Sequence, residues 1–290
     1  MKIINIYGGL GNQMFQYALA FALYQKFPNE LIKYTKKDFL GYHVRNFELT
    51  NIFELKIKEA NWFELMKVTN PVSLETEIGK IINKLFPRKY TIIKERKLFH
   101  FQEDVFVNGN YYYYGYWQNE NYFKFCREKL KDEFKFRNSL DGNNRKIIND
   151  MHVRKSVSIH VRRGDYLKYN IYQHICTPKY YKKAINRIFQ LFDNPKFYIF
   201  SNDLQWCNQN ILPMLRGAEN VLVDWNTGTD SYKDMQLMSN CKVNIIANSS
   251  FSWWAAWLNN NEGRLVLSPK KWLNDNKVKE QPQADDWILI

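Results

Sequence analysis

The stretch Ser156-Val157-Ser158-Ile159-His160-Val161-Arg162-Arg163-Gly164-Asp165-Tyr166 decides how the chain is read. Six residues of buried-strand character run straight into two arginines, a glycine and an aspartate. An arginine at the end of an apolar strand is costly unless it meets an anion, and its planar fork suits a pair of phosphate oxygens. An ion pair of Arg162 or Arg163 with Asp165 is the structural alternative. Downstream, strands and helices alternate. Thr177-Pro178 opens a helix to about Phe192, with Thr as cap and Pro in the first turn. Strands follow at 197–201, 221–223, 243–246 and 264–267, with helices from Gln205, Ser231 and Phe251 between them. Such alternation with short loops predicts a doubly wound parallel sheet.

Upstream, the chain opens as a strand over 2–7, a Gly-rich loop, and an apolar helix from Gln13 to Phe27, which is the first βα unit of an α/β domain. The middle region is less regular. Helices are expected over 59–68, 74–85 and 122–134, and an aromatic strand over 111–117. The stretch 140–155, with its DGNNRK segment, reads as a junction. The expectation is therefore two α/β domains, residues 1–150 and 151–290, with ligands at the carboxyl ends of their strands.

Four segments at predicted strand ends carry the chemistry. Gly8-Gly9-Leu10-Gly11-Asn12-Gln13 lets the backbone turn sharply and come close to a ligand. It lacks the Gly-Lys-Ser/Thr of a P-loop, and Met14 stands where a dinucleotide fingerprint needs its third glycine. A tight βα turn and a ligand loop both fit it. The second segment runs from His160 to Tyr166. The third, Ser201-Asn202-Asp203, can hydrogen-bond a ribose or base edge, or cap the next helix. The fourth, Asn248-Ser249-Ser250-Phe251, puts hydroxyls and backbone donors at a helix start, where a phosphate is welcome. The tryptophans that follow, Trp253, Trp254 and Trp257, read as core.

With 290 residues and 45% hydrophobic composition, the chain can build two cores. Its net charge of +13 points to an anionic partner: nucleic acid, a phosphorylated small molecule or an acidic membrane surface. No long basic run appears, and the aromatic segment 111–117 carries no Lys or Arg, which counts against nucleic acid. Cys126, Cys176, Cys207 and Cys241 lie far apart with no C-x-x-C spacing, as expected of free thiols in a reducing compartment. The N-terminus has one early lysine and an interrupted apolar stretch, so it does not read as a signal peptide. A cytoplasmic chain with peripheral membrane contact through its basic surface is the expectation.

Taken in order, GGLGNQMFQYALAFAL, HVRRGDY, FYIFSND and NSSFSWWAAWL resemble the motifs of the α-1,2-fucosyltransferases, glycosyltransferase family 11, whose members include bacterial polysaccharide enzymes. The resemblance spans residue 5 to about residue 258. It implies a GT-B fold of two Rossmann-like domains facing across a cleft, and inverting transfer of L-fucose from GDP-β-L-fucose to a galactoside hydroxyl, with O2 the expected position. It implies no metal and no cofactor, GDP-fucose being a co-substrate. The absence of any D-x-D triplet from the sequence agrees. By the same resemblance, His160 and Arg162 contact the diphosphate, Asn202 or Asp203 holds the guanine or ribose, and Ser249, Ser250 and Phe251 close on the phosphate side; Arg163, beside Arg162, is expected to support it on the leaving diphosphate. Gly9, Gly11, Asn12 and Gln13 meet the fucose from the N-terminal, acceptor-side domain. Tyr166, Ser201 and Asn248 belong to the same substrate-binding segments. Asp165 is the first candidate for the base and His160 the second. An oligosaccharide or lipid-linked glycan is the expected acceptor. The alternatives are a similar glycosyltransferase with another donor or acceptor, and a basic nucleic-acid-binding protein.

Overall fold

The computed structural model describes residues 1–39, 46–69, 81 and 92–290. The chain divides into two compact units, Met1–Arg137 and Asn138–Ile290.

In the first unit, β1 (Lys2–Asn5), α1 (Leu10–Lys26), β2 (Ile32–Thr35), α2 (Leu49–Ile52), α3 (Trp62–Val68), β3 (Ile92–Lys94), β4 (Tyr111–Tyr114) and α4 (Arg127–Glu133) follow one another. The sheet has the order β2-β1-β4-β3, with every pairing parallel. β1 is buried along its length, and from Leu10 to Leu23 every residue of α1 but Asn12 is buried. A helix apolar on all sides must be enclosed, and this one is. β4 stops at Tyr114, short of the expected Trp117. Trp117 has φ 58°, which no strand continues through, and a Cβ on Gly115 would meet the Glu95 Cβ at 2.4 Å. The helix expected over 74–85 lies outside the described residues except for Ile81.

The second unit runs α5 (Gly142–Val153), β5 (Ser156–Val161), α6 (Pro178–Leu191), β6 (Lys196–Ser201), α7 (Leu204–Asn210), β7 (Asn220–Val223), α8 (Tyr232–Met238), β8 (Val243–Ile245), α9 (Ser250–Trp257), β9 (Leu265–Ser268) and β10 (Ile288–Leu289). Its six strands are all parallel, in the order β10-β9-β8-β5-β6-β7. Counted within the unit, this is the 3-2-1-4-5-6 order of the dinucleotide-binding fold, with its topological switch between β5 and β8. The Thr177 side chain caps α6 by accepting from the Tyr180 backbone N–H at 3.4 Å. Trp253, Trp254 and Trp257 are fully buried and packed on one another at ring distances of 4.9 Å to 6.2 Å, as core residues.

The stretch read as a junction is helix α5, so the boundary expected after residue 150 falls inside an element of the second unit. Its side chains explain why. The Asn144 Oδ1 accepts from the Trp225 indole N–H at 2.8 Å, and Asp150 pairs with the Lys196 Nζ at 2.8 Å. All four cysteines are free thiols, with Cys126, Cys207 and Cys241 buried and Cys176 partly so. Among the described residues, no helix is long and apolar enough to cross a membrane.

Candidate functional site

Parallel βα units aim their strand ends and helix starts at the carboxyl edge of a sheet, and the switch point opens a space there. In the second unit, β5 and β8 flank that point, with Ile159 in register with Ile245. Residues 160–166 leave β5, and Asn248 to Phe251 lead from β8 into α9. The chain thus brings two of the four sequence segments together at the switch, and the third follows β6, on the other side of β5.

His160 is 6% exposed, and its ring lies 5.7 Å from that of Phe251. Its Nδ1 is buried without a hydrogen-bond partner. Burial, helped by the charge of Arg162, pushes its pKa down to about 3. The imidazole is therefore neutral near pH 7, with one nitrogen for donating and one for accepting.

Arg162 donates from Nη2 to the Asp165 Oδ2 at 2.8 Å, and its guanidinium carbon sits 5.5 Å from the centre of the Tyr166 ring. Its Nε is buried without a partner. The Tyr166 hydroxyl is hydrogen-bonded to the Ser249 side chain, and burial raises its pKa to about 12. The Tyr166 ring stacks on Tyr172 at 4.4 Å. A phenol thus ties the loop after β5 to the start of α9, with the guanidinium over its face.

Arg163 turns instead toward β6. Its backbone N–H donates to the Asn202 Oδ1 at 2.9 Å, its Nε to the Asp203 Oδ2 at 3.0 Å, and its guanidinium carbon lies 4.4 Å from the Trp206 ring centre. Ser201 accepts from the Asp203 backbone N–H at 2.9 Å, and the Asp203 Oδ1 accepts from the Trp206 N–H at 3.0 Å to cap α7. Gly164 has φ 37°, and a Cβ there would come within 2.4 Å of the Asn202 Nδ2. Asn202 and Asp203 thus build the loop that presents Arg162. Asn248 is also turned to the fold, donating from Nδ2 to the Trp272 carbonyl at 3.0 Å. Ser249 and Ser250 stand at the start of α9, the former 5% exposed.

Gly9, Gly11, Asn12 and Gln13 belong to the first unit. Gly8 takes φ 83°, Gly9 is the N-cap of α1, and nothing lies within 4 Å of a Cβ on Gly9. The helix starts at Leu10, so Gly11, Asn12 and Gln13 form its first turn. Gln13 is occupied on both ends of its amide. Nε2 donates to the carbonyls of Gly8 (2.9 Å) and Asn46 (2.8 Å), and Oε1 accepts from the Glu48 N–H at 3.0 Å. It is a strut of the loop, whereas Gly9 leaves open space.

Two features have no sequence signal of their own. Tyr172 reads as an ordinary loop tyrosine until it is seen beneath Tyr166. Asp234 looks like a surface acid in the helix YKDMQLM, yet it accepts from the Asn226 Nδ2 at 2.8 Å, and burial pushes its pKa up to about 7. Among the described residues, no three His, Cys, Asp or Glu side chains gather as a metal site.

A dinucleotide-binding strand order with a half-engaged arginine at its switch point fits many nucleotide enzymes. The family model of "Glycosyl transferase family 11" matches residues 1–290, the whole chain. The chain belongs to glycosyl transferase family 11. Among curated relatives of this family 11 protein, an "Alpha-1,2-colitosyltransferase" of Escherichia coli is 33% identical over 99% of this chain and 98% of its own. An "O-antigen biosynthesis glycosyltransferase WbnK", also of Escherichia coli, is 32% identical over 98% of each. A "Galactoside alpha-(1,2)-fucosyltransferase 1" of Ateles belzebuth is 26% identical over 47% of this chain and 40% of its own. Family 11 membership makes the chain a glycosyltransferase.

Proposed function

We propose that this enzyme transfers L-fucose from GDP-β-L-fucose to a galactoside, at O2, with inversion and without a metal. One observation carries the reading. At the switch point, Arg162 has a buried Nε without a partner, beside a neutral His160 with an orphaned Nδ1 and the serine-lined start of α9. Such an arrangement suits a diphosphate.

The reaction breaks the bond between the anomeric carbon and the diphosphate oxygen, GDP departs with the bonding pair, and the acceptor hydroxyl oxygen bonds to the opposite face as its proton passes to water. Charge grows on the departing diphosphate. Arg162 meets it with a guanidinium already held in place by Asp165 and Tyr166, so little reorganisation is needed. The α9 start adds backbone donors. His160, neutral at working pH, serves as a hydrogen-bond partner of the donor. Asp165 is engaged by Arg162, and we assign it to holding the guanidinium rather than to removing the acceptor proton. The first unit takes the acceptor.

A second reading has its own support, the 33% identity to an α-1,2-colitosyltransferase over nearly the whole chain. Colitose is 3-deoxyfucose, so the two donors differ by one hydroxyl, and a site built to bond a hydroxyl rejects the analogue lacking it. GDP release should be measured in EDTA with GDP-fucose and GDP-colitose, across β-galactoside acceptors, for wild type and Arg162→Ala. Acceptor-dependent release from GDP-fucose, lost in the variant, is expected. Release from GDP-colitose alone would move the assignment to the second reading, and turnover of a nucleotide sugar other than these two would overturn both.

A further inference from the structure

The first unit has a switch point of its own. From β1 the chain moves through α1 to β2 on one side, and β4 and β3 pack on the other. The switch therefore lies between β1 and β4, and a binding crevice belongs at their carboxyl ends.

The residues there are unusual. Tyr7, two residues past β1, stacks on Tyr114 at the end of β4, with ring centres 5.2 Å apart and an angle of 15°. Tyr116 lies 4.9 Å from the same Tyr7 ring. Tyr114 is 41% exposed, a large aromatic surface left open at the edge of a buried sheet. Beneath these rings sit polar atoms without partners. Asn5, fully buried at the end of β1, donates from Nδ2 to the Asp38 Oδ2 at 2.7 Å, and its Oδ1 has no partner. The Tyr112 hydroxyl, in a residue 3% exposed, has none either. Burial, together with the nearness of Asp38, Tyr114 and Tyr7, holds that hydroxyl's pKa well above the phenol range. Asn5, Tyr7, Asp38, Tyr112, Tyr114 and Tyr116 therefore form one cluster.

The chemistry of the cluster selects its guest. Buried amide oxygens and hydroxyls without partners are expensive, so a ligand that supplies hydrogen bonds is favoured. A carboxylate accepts from hydroxyls, and the Lys37 ammonium, 5.0 Å from the centre of the Tyr112 ring, can donate to them, so the cluster offers both kinds of partner with its charges balanced. Exposed tyrosine faces cover the C–H face of a ring at low entropic cost. A neutral polyhydroxylated ring meets all three conditions.

We infer that the β1–β4 switch point seats the acceptor hexopyranose, with Tyr114 and Tyr7 under its ring and Asp38 and the Asn5 carboxamide on its hydroxyls. This rests on the proposed glycosyl transfer, but its test does not. Binding of methyl β-D-galactopyranoside, with the α-anomer and methyl β-D-glucopyranoside as companions, should be followed by saturation-transfer NMR without any nucleotide sugar. Wild type, Tyr114→Ala and Asp38→Asn are compared, and GDP affinity is measured by calorimetry on the same samples. Tyr114 and Asp38 are exposed, so both variants should fold. The expected result is a wild type that binds at least one glycoside, with variants about tenfold or more weaker and GDP affinity unchanged. Variants that bind the glycoside like wild type, or a wild type that binds GDP and none of the glycosides, would overturn the inference. Failure to bind GDP would instead count against the donor reading, whatever the glycosides do.

Discussion

Arg163 and Asp203 join the loop after β5 to the helix after β6. One carboxylate oxygen receives the Arg163 Nε at 3.0 Å, and the other receives the Trp206 N–H that begins α7. A single side chain thus sets both a helix cap and the path of the loop presenting Arg162. Asp203→Ala should destabilise the fold by about 1–2 kcal/mol, the sum of a lost cap and a partly exposed ion pair. Asp203→Asn keeps an acceptor for Trp206 and should cost less than half as much. Urea unfolding of the two variants separates the contributions.

Arg162 should be indispensable to the chemistry and dispensable to the fold. Arg162→Ala is expected to lower kcat by about 100- to 1,000-fold at an unchanged melting temperature. Arg162→Lys should recover little, because the planar fork is lost although the charge stays. Steady-state kinetics beside a thermal scan reads both.

Gly164 answers to two constraints at once, a positive φ and the Asn202 amide 2.4 Å from any Cβ. Gly164→Ala should destabilise by more than about 1 kcal/mol and weaken GDP binding by moving Arg162. Adding Asn202→Ala relieves the clash and not the backbone, so the double variant should be more stable than the sum of the two single effects. A double-mutant cycle measures the difference.

Asp234 holds a proton more tightly in the folded state, with a pKa pushed up to about 7 by burial. The native state therefore binds more protons than the unfolded one between about pH 4 and pH 7, and stability falls as pH rises through that window. Asp234→Asn keeps an acceptor for Asn226 and cannot ionise. It should match wild type near pH 4 and exceed it at pH 8, and melting temperatures at the two values decide.

Gln13 lies in the most conspicuous glycine loop of the sequence, yet its amide is spent within the first unit. Gln13→Ala strands the Glu48 N–H and the Gly8 and Asn46 carbonyls, and should cost about 1–3 kcal/mol or more. Circular dichroism on heating would show the loss, and a substrate-contact role alone would leave the melting curve unmoved.

The second unit is readable because its central strands are apolar and two of its helix starts carry side-chain caps, Thr177 and Asp203. Thr177-Pro178 and Ser156 to Val161 announced themselves by composition. In the first unit, β2 (IKYT) has four residues with a lysine among its buried positions, β3 has three residues with both ends exposed, and β10 of the second unit has two residues. These are strands by pairing, not by composition, and no periodicity signals them. Helix α5 reads as a junction in the sequence because Gly142 and its neighbouring asparagines punctuate turns, but Asn144 spends its amide on Trp225 and Asn226. The candidate segments are legible as polar residues at strand ends; the hydrogen bonds that Asp203 and Gln13 make within the fold are not, since their partners are distant in sequence or belong to the backbone.

The four free cysteines have a practical corollary. Burial lifts the thiols of Cys126 and Cys176 to about 12 and that of Cys207 to about 11, and Cys241 moves in the same direction. Thiolate is the reactive form, so the native protein should be nearly silent to maleimides at neutral pH. A cysteine introduced at an exposed position in either unit would then outcompete the native thiols for dyes or spin labels, with the partly exposed Cys176 the one native sulfur to replace first.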